Sequence, residues 1–167
     1  MGLAMISSDI LKEVLDYNPA TGDFVWKVSI GGVRVGARAG SNHPSGYREI
    51  KIFCSVYRAH RLAWLHTHGE FPSDQIDHIN GKRSDNRIIN LRAASSTENN
   101  RNSKTSTRNT SGVVGVGWEV IAGRWRAYIG NENKLIRLGN FTDWFEAVCA
   151  RKSAEKRLGY HPNHGRT

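Results

Sequence analysis

Asp77 and His78 stand side by side in a short run of alternating apolar residues, Gln75 to Ile79. A turn-rich stretch from Asn80 to Arg87 follows, then Asn90-Leu91-Arg92, then Ser95, Ser96, Glu98 and Asn99. A carboxylate and an amide carbonyl are hard oxygen donors, which suit Mg²⁺, Mn²⁺ or Ca²⁺. An imidazole, with an unperturbed pKa of about 6.5, can take a proton from water near neutral pH. Two such oxygens leave coordination positions for water and phosphate, and with a base beside them they could support metal-assisted hydrolysis of a phosphodiester. Each residue taken singly also fits ordinary turn chemistry, for which Asn-Gly and Asn-rich neighbours are common.

Positioning these groups requires a small set of elements. Gln75–Ile79 reads as a strand, Asn80-Gly81 as a turn, and Leu91–Ala94 as a second short strand. Ser95 or Ser96 can cap a helix with Glu98 in its first turn. Strand, loop, strand and helix would bring Asp77 and Asn99 together from opposite ends. On a pleated strand His78 points away from its neighbour Asp77, which would keep its ring out of direct coordination and available as a base.

The segment resembles the HNH (His-Me finger, ββα-metal) endonucleases, particularly those of phages and homing elements. Asp77 matches the preceding metal-ligand position, His78 the first, Asn90 the middle and Asn99 the last. The resemblance implies that His78 is the catalytic general base and that Asp77 and Asn99 hold one divalent cation, Mg²⁺ first and Mn²⁺ as the alternative. It gives Asn90 the task of tying the loop and orienting the histidine. Asn99 and Ser103 stand where many relatives carry histidine or a further ligand, which disfavours a zinc-dependent version. The string Ala59-His60-Arg61-Leu62-Ala63-Trp64 also recurs in this branch, in a helix from about Tyr57 that Gly69 and Pro72 would stop. His60 is open between a place near the site and a structural role. The nuclease core is expected over 57–103.

Composition is compatible with this reading. The chain has 167 residues, 24 Lys+Arg against 15 Asp+Glu, a net charge of +9 and a pI near 9.9. Such a surplus attracts polyanions, nucleic acid before anionic membrane. Double-stranded DNA is therefore the expected partner and a membrane is not; oligomeric state is left open. Cys54 and Cys149 lie far apart and read as buried free thiols, with no zinc finger or disulfide framework. No apolar run approaches 18 residues and no signal-peptide layout opens the chain, so a soluble cytoplasmic protein is expected, in a bacterial host cell if phage-encoded.

The remainder divides into a β-rich leader over 1–56, a basic polar linker over 104–111 and a second domain over 112–167. In the leader, Ser7 or Ser8 can cap a short helix carrying Ile10, Leu11, Val14 and Leu15, and strands are expected around Asp23–Val28 and Gly46–Phe53. Arg34, Arg38 and Arg48 could meet phosphates or simply face water. Arg92, Arg101 and Lys104 are candidate phosphate clamps.

After Gly112, three short strands are followed by a helix from Thr142 or Asp143 to about Leu158. Trp144, Ala147, Val148, Ala154 and Leu158 fall at core spacing in that helix. In the middle strand Trp125, Ala127 and Ile129 share one face; Arg124, Arg126 and Tyr128 share the other. The strings Gly115-Val116-Gly117-Trp118, Trp125-Arg126-Ala127-Tyr128-Ile129 and Arg137-Leu138-Gly139-Asn140-Phe141 resemble the plant ethylene-response-factor (APETALA-type) DNA-binding domain. That resemblance implies a sheet in the major groove with Arg126, Tyr128 and Arg137 on its DNA face, aided by Trp118 and Arg124. The fold class expected is α+β: a ββα-metal nuclease core with its leader, plus a small three-stranded sheet packed on one helix. A non-catalytic DNA-binding regulator is the alternative function, and a structural RNA-binding protein a third.

Overall fold

The computed structural model describes residues 6–132 and 134–166. The fold is mixed α+β, in two compact units, Met1–Ser95 and Ser96–Thr167. In chain order the elements of the first unit are α1 (Ser8–Val14), β1 (Leu15–Asn18), β2 (Asp23–Trp26), β3 (Ser41–Asn42), β4 (Arg48–Ile52), β5 (Ser55–Arg58), α2 (Ala59–His68), β6 (Gln75–His78), a 3₁₀ turn (Ile88–Asn90) and β7 (Leu91–Ala94). Those of the second are α3 (Ser96–Arg101), β8 (Val116–Glu119), β9 (Arg124–Asn131), β10 (Lys134–Phe141) and α4 (Trp144–Arg157). No helix among the described residues is long and apolar enough to cross a membrane.

The first unit builds one core from short pieces. Leu11 and Leu15 from the start of the chain, Phe24 from β2, Ile50 and Ile52 from β4, and Leu62 from α2 are all fully buried and belong to one cluster with Ile76 and Leu91. The leader is thus not a separate module. A two-stranded hairpin such as β6–β7 cannot bury enough apolar surface to stand alone, and the leader supplies what it lacks. The helix ends and cross-links follow from local chemistry. Ser7 caps α1 by accepting from the Ile10 amide at 3.3 Å, and Gly69 closes α2 in the left-handed conformation. Arg38 pairs with Asp23, and Arg48 donates to the carbonyls of Ala39 and Gly40 at 2.8 and 2.7 Å. Both arginines brace the leader.

Gly22 makes a tight junction with the loop at Asn86 and Arg87. Its φ of +78° suits glycine, and a Cβ there would lie 2.5 Å from the Arg87 amide nitrogen and 2.6 Å from the Asn86 carbonyl carbon. Gly22→Ala is therefore expected to destabilise the first unit by about 1–3 kcal/mol from backbone strain alone, with the overlap adding to it. A drop in the urea midpoint at constant slope reads this out; an unchanged midpoint refutes it.

In the second unit the strand order is β10-β9-β8, all antiparallel. Ala127 and Ile129 are buried, Trp125 is half-buried, and Ala127 and Trp125 belong to the cluster that includes Ala147 of α4. Asp143 caps α4 by accepting from the Glu146 amide at 3.1 Å. The helix departs from expectation along its inner face. Trp144 is exposed, whereas Arg151 and Glu155 are buried. Arg151 donates to Glu155 Oε1 at 2.9 Å and to the Tyr128 carbonyl at 2.7 Å, which satisfies the buried charge.

Segment 104–111, expected as a linker, is fastened at one end. Thr105 donates its amide to the Arg166 carbonyl at 2.9 Å and its hydroxyl to the Gly165 carbonyl at 2.6 Å. The cysteines also differ from expectation: both are exposed, Cys54 in the turn between β4 and β5 and Cys149 on α4.

Candidate active site

Strands β6 and β7 pair antiparallel with Asp77 opposite Arg92 and His78 opposite Leu91. Opposite charges directly across a ladder attract. The Arg92 guanidinium donates through Nε and Nη2 to Asp77 Oδ2 at 3.1 and 2.8 Å. Arg92, expected to clamp phosphate, is thus engaged by the carboxylate beside the base. Asp77 is 6% exposed and His78 4%.

The connection between the strands is held by its own amides and carboxylate. Asn80 donates its backbone amide to Asn90 Oδ1 at 3.0 Å, and Asn90 Nδ2 donates to the Asp85 carbonyl at 2.8 Å. Asn80 Nδ2 donates to Asp85 Oδ2 at 2.7 Å, and Arg87 forks onto both oxygens of the same carboxylate at 2.8 and 2.7 Å. The hydrogen bond from Arg87 is the main reason that the Asp85 carboxyl titrates at about 2. The Asn90 side chain links Asn80 to Asp85 across the loop. Its amide contacts run to the backbone of Asn80 and the Asp85 carbonyl, and the contact to the histidine ring comes from Asn86.

His78 Nε2 lies 3.5 Å from Asn86 Oδ1. Asn86 is 2% exposed; its Nδ2 donates to the Ser84 carbonyl at 3.3 Å and its own carbonyl accepts from the Tyr17 hydroxyl at 2.7 Å. On another side of the His78 ring stands His60, with centroids 4.9 Å apart at 75°; Tyr47 lies 5.2 Å from His60 and 5.9 Å from His78. Arg58 and Arg83 cover the Tyr47 ring at 4.1 and 4.9 Å. Burial, the largest influence, holds the His78 pKa below its ordinary value, partly offset by the hydrogen bond to Asn86 and the charge of Asp77. The ring is neutral at neutral pH and so able to accept a proton.

The oxygen donor at Asp77 suits a hard cation, which characteristically uses one or two carboxylates together with water and substrate phosphate. No group of three His, Cys, Asp or Glu side chains suited to a metal occurs among the described residues. Asn99 lies on α3, in the second unit.

The second unit carries the other candidates. Arg124, Arg126 and Tyr128 lie on the face of β9 opposite the buried Ala127 and Ile129, and register places Arg137 beside Tyr128. Arg126 donates to Glu119 at 3.2 Å. Trp118 is a correction: it pairs with Trp125, ring centroids 5.3 Å apart, and so shares the α4-facing side, opposite to Arg126. Arg101 donates to Asn131 Oδ1 at 2.8 Å and stands over the Tyr160 ring at 5.3 Å. With Lys104, Arg108, Lys134 and Tyr128 it lines a basic cavity of about 710 Å³.

Residues 57–101 match the family described as HNH endonuclease. Protein 3.8 of Escherichia phage T7 is 35% identical over 88 residues, which are 52% of this chain and 73% of the phage protein. The chain belongs to the HNH endonuclease family. Membership points to nuclease activity in general and to DNA as the substrate class. No solved structure matches the chain.

Proposed function

We propose that the chain is a divalent-cation-dependent DNA endonuclease of the phage, homing-like type, with a nuclease core of the ββα-metal kind and a C-terminal DNA-binding module. The observation that carries this reading is the neutral, buried His78 beside the Asp77 carboxylate, on a hairpin whose loop is locked by Asn80, Asp85 and Asn90. His78 takes the proton from the attacking water as its oxygen bonds to phosphorus, and the 3′-oxygen leaves with the bond pair. Asp77 is the protein carboxylate for one cation, Mg²⁺ or Mn²⁺, and the sequence pattern assigns the second oxygen to Asn99. Such an ion supplies Lewis-acid stabilisation of the charge that develops on the phosphate and the leaving oxygen. Arg92 pairs with the Asp77 carboxylate through Oδ2 alone, so Oδ1 is the oxygen Arg92 does not engage.

Arg124, Arg126, Tyr128 and Arg137 form the DNA face of the second unit in this reading, supported by the strand register and by the resemblance to the ethylene-response-factor domain. Arg101 and Lys104 extend it as phosphate contacts from the basic cavity. Removing either Arg126 or Arg137 as alanine is expected to lower the slope of log affinity against log salt by about one. A salt titration of duplex binding checks this, and an unchanged slope for both removes them from the interface.

The engagement of Asp77 by Arg92 also favours a second reading, a DNA-binding regulator that keeps the nuclease fold as scaffold. Supercoiled plasmid incubated with Mg²⁺ or Mn²⁺ decides between them. Nicking that EDTA stops supports the endonuclease; tight binding with no cut under either ion supports the regulator.

A further inference from the structure

We infer that the basic cavity of the second unit binds single-stranded DNA, a function separate from the duplex contacts of the sheet face. The inference deepens the reading of Arg101 and Lys104 as phosphate contacts by naming the form of nucleic acid they hold. Cations reach this cavity from three segments of the unit: Arg101 from α3, Lys104 and Arg108 from the stretch after it, and Lys134 from the start of β10. Among the described residues none of Lys104, Arg108 and Lys134 has a carboxylate within ion-pair distance, and Arg101 is held by the neutral amide of Asn131. Arg151 also lines the cavity, but Glu155 balances its charge. Glu132 alone among the lining residues is acidic, so the cavity carries a surplus of positive charge that suits a phosphate-bearing ligand.

Size, lining and continuity favour a single strand over a duplex or an isolated phosphate. A volume of about 710 Å³ is that of a small-molecule site, so a nucleotide or a short piece of strand can enter, while a duplex can only lie across the mouth. Leu135, also on the wall, is 72% exposed, and register sets it opposite Gly130, so no side chain shields it across the ladder. An unstacked base offers such a side chain its flat face, which a base inside a duplex does not. Apolar or aromatic surface beside a row of cations is the composition that tracks single strands. Tyr128 and Leu135 also line a second cavity, of about 440 Å³, on the sheet face with Arg126 and Arg137. A strand parted from the duplex at that face thus has a continuous lining to follow over Leu135. The wall is fixed before any ligand arrives. Thr105 is pinned to Gly165 and Arg166, and Asn109 accepts from the Gly112 amide at 2.7 Å and donates to the Val113 carbonyl at 3.0 Å. Preformed walls lower the ordering cost of binding.

The test is fluorescence anisotropy of the full chain in EDTA, with a short labelled oligothymidylate and a duplex of equal length, each titrated at several salt concentrations. Wild-type protein is expected to bind both. The double variant Arg108→Ala/Lys134→Ala is expected to lower the slope of log affinity against log salt for oligothymidylate by about 1.4, at about 0.7 per phosphate contact, and to leave duplex binding unchanged. Both side chains are exposed, so the fold should tolerate the change. Leu135→Ala, which removes no charge, is expected to weaken oligothymidylate binding about fivefold, the low end for a base contact, at an unchanged slope. Wild-type protein that ignores oligothymidylate overturns the inference. So does a double variant that weakens strand and duplex in parallel, which marks one duplex surface, and so does a leucine variant that binds the strand as wild type does. Thymidine monophosphate that displaces the strand at the strand's own concentration marks a free-nucleotide site, and tighter binding of oligouridylate marks an RNA site; either result overturns it. Wild-type protein that holds the strand but not the duplex counts against the sheet face as a duplex binder and leaves the cavity assignment standing.

Discussion

His78→Ala is expected to lower the rate of metal-dependent plasmid cleavage by about 10²–10⁴-fold, the range that one positioned general base contributes. At 1.36 kcal/mol per tenfold this is about 3–5 kcal/mol of transition-state stabilisation. The size follows from the environment of the ring. It is neutral, out of bulk water, and held between Asn86 and His60, so neither solvent nor a neighbouring side chain can take over the proton transfer in the same geometry. The variant leaves a space the size of an imidazole against the rings of His60 and Tyr47. Added imidazole should fill that space and restore part of the rate, which a variant impaired only in folding would not allow. Duplex affinity is expected to hold, because the charged residues assigned to DNA lie in the other unit. A variant that melts like wild type and cuts at the wild-type rate would remove His78 from the mechanism, and with it the proposed chemistry.

Alternation and turn signals were enough to read the β6–β7 hairpin and the two faces of β9, because both are local patterns with a period of two. Asp77 and His78 could be picked out as neighbours on such a strand, whereas Asn90 was picked out through the resemblance to the HNH endonucleases. The supporting residues could not be found by either route. Tyr17 and Asn86 meet across 69 positions of sequence, and nothing near either one announces the other. Asn86 sits in a Ser-Asp-Asn-Arg turn whose composition would suit any exposed loop, yet it is among the most buried side chains of the unit. His60 was legible as a member of a recurring string but not as a ring packed edge-on to the base.

Faces were misassigned where register or burial of polar groups decided the outcome. Trp118 belongs with Trp125 because β8 pairs with β9 in that register, which strand composition alone does not specify. Arg151 and Glu155 occupy inner positions of α4 that hydrophobic spacing would leave to apolar residues, and they can do so because each satisfies the other. The expected border between leader and nuclease core does not appear as a break in packing. Short strands need a shared core, and the leader and helix α2 bury their apolar residues together.

Acid should unfold the first unit through His60. Its ring is 6% exposed, and burial, followed by the charges of His78, Arg58 and Arg61, lowers its pKa from 6.5 to about 3. In the unfolded chain the same group titrates at its ordinary value, so between pH 6.5 and 3 the unfolded state binds the extra proton and the folded state does not. Stability is therefore unaffected by this group above pH 6.5 and falls as pH drops through the window, at about 1.4 kcal/mol per unit. Across the 6.5-to-3 interval the loss reaches about 5 kcal/mol, a large part of the stability of an ordinary domain. Asp85 contributes in a lower range: its depressed carboxyl stabilises the fold above pH 3.8 and loses that effect only on the way down to about 2. The upper limb of the acid transition can thus be assigned to histidine, with His78, which is also depressed, adding to it. Urea midpoints measured at closely spaced pH values on wild-type protein and on His60→Gln separate the contributions. Glutamine is polar and does not titrate, so that variant is expected to flatten the curve between pH 6 and 4 even if it is less stable at neutral pH. A glutamine variant whose midpoint falls with acid as steeply as wild type would show that His60 is not held neutral in the folded protein.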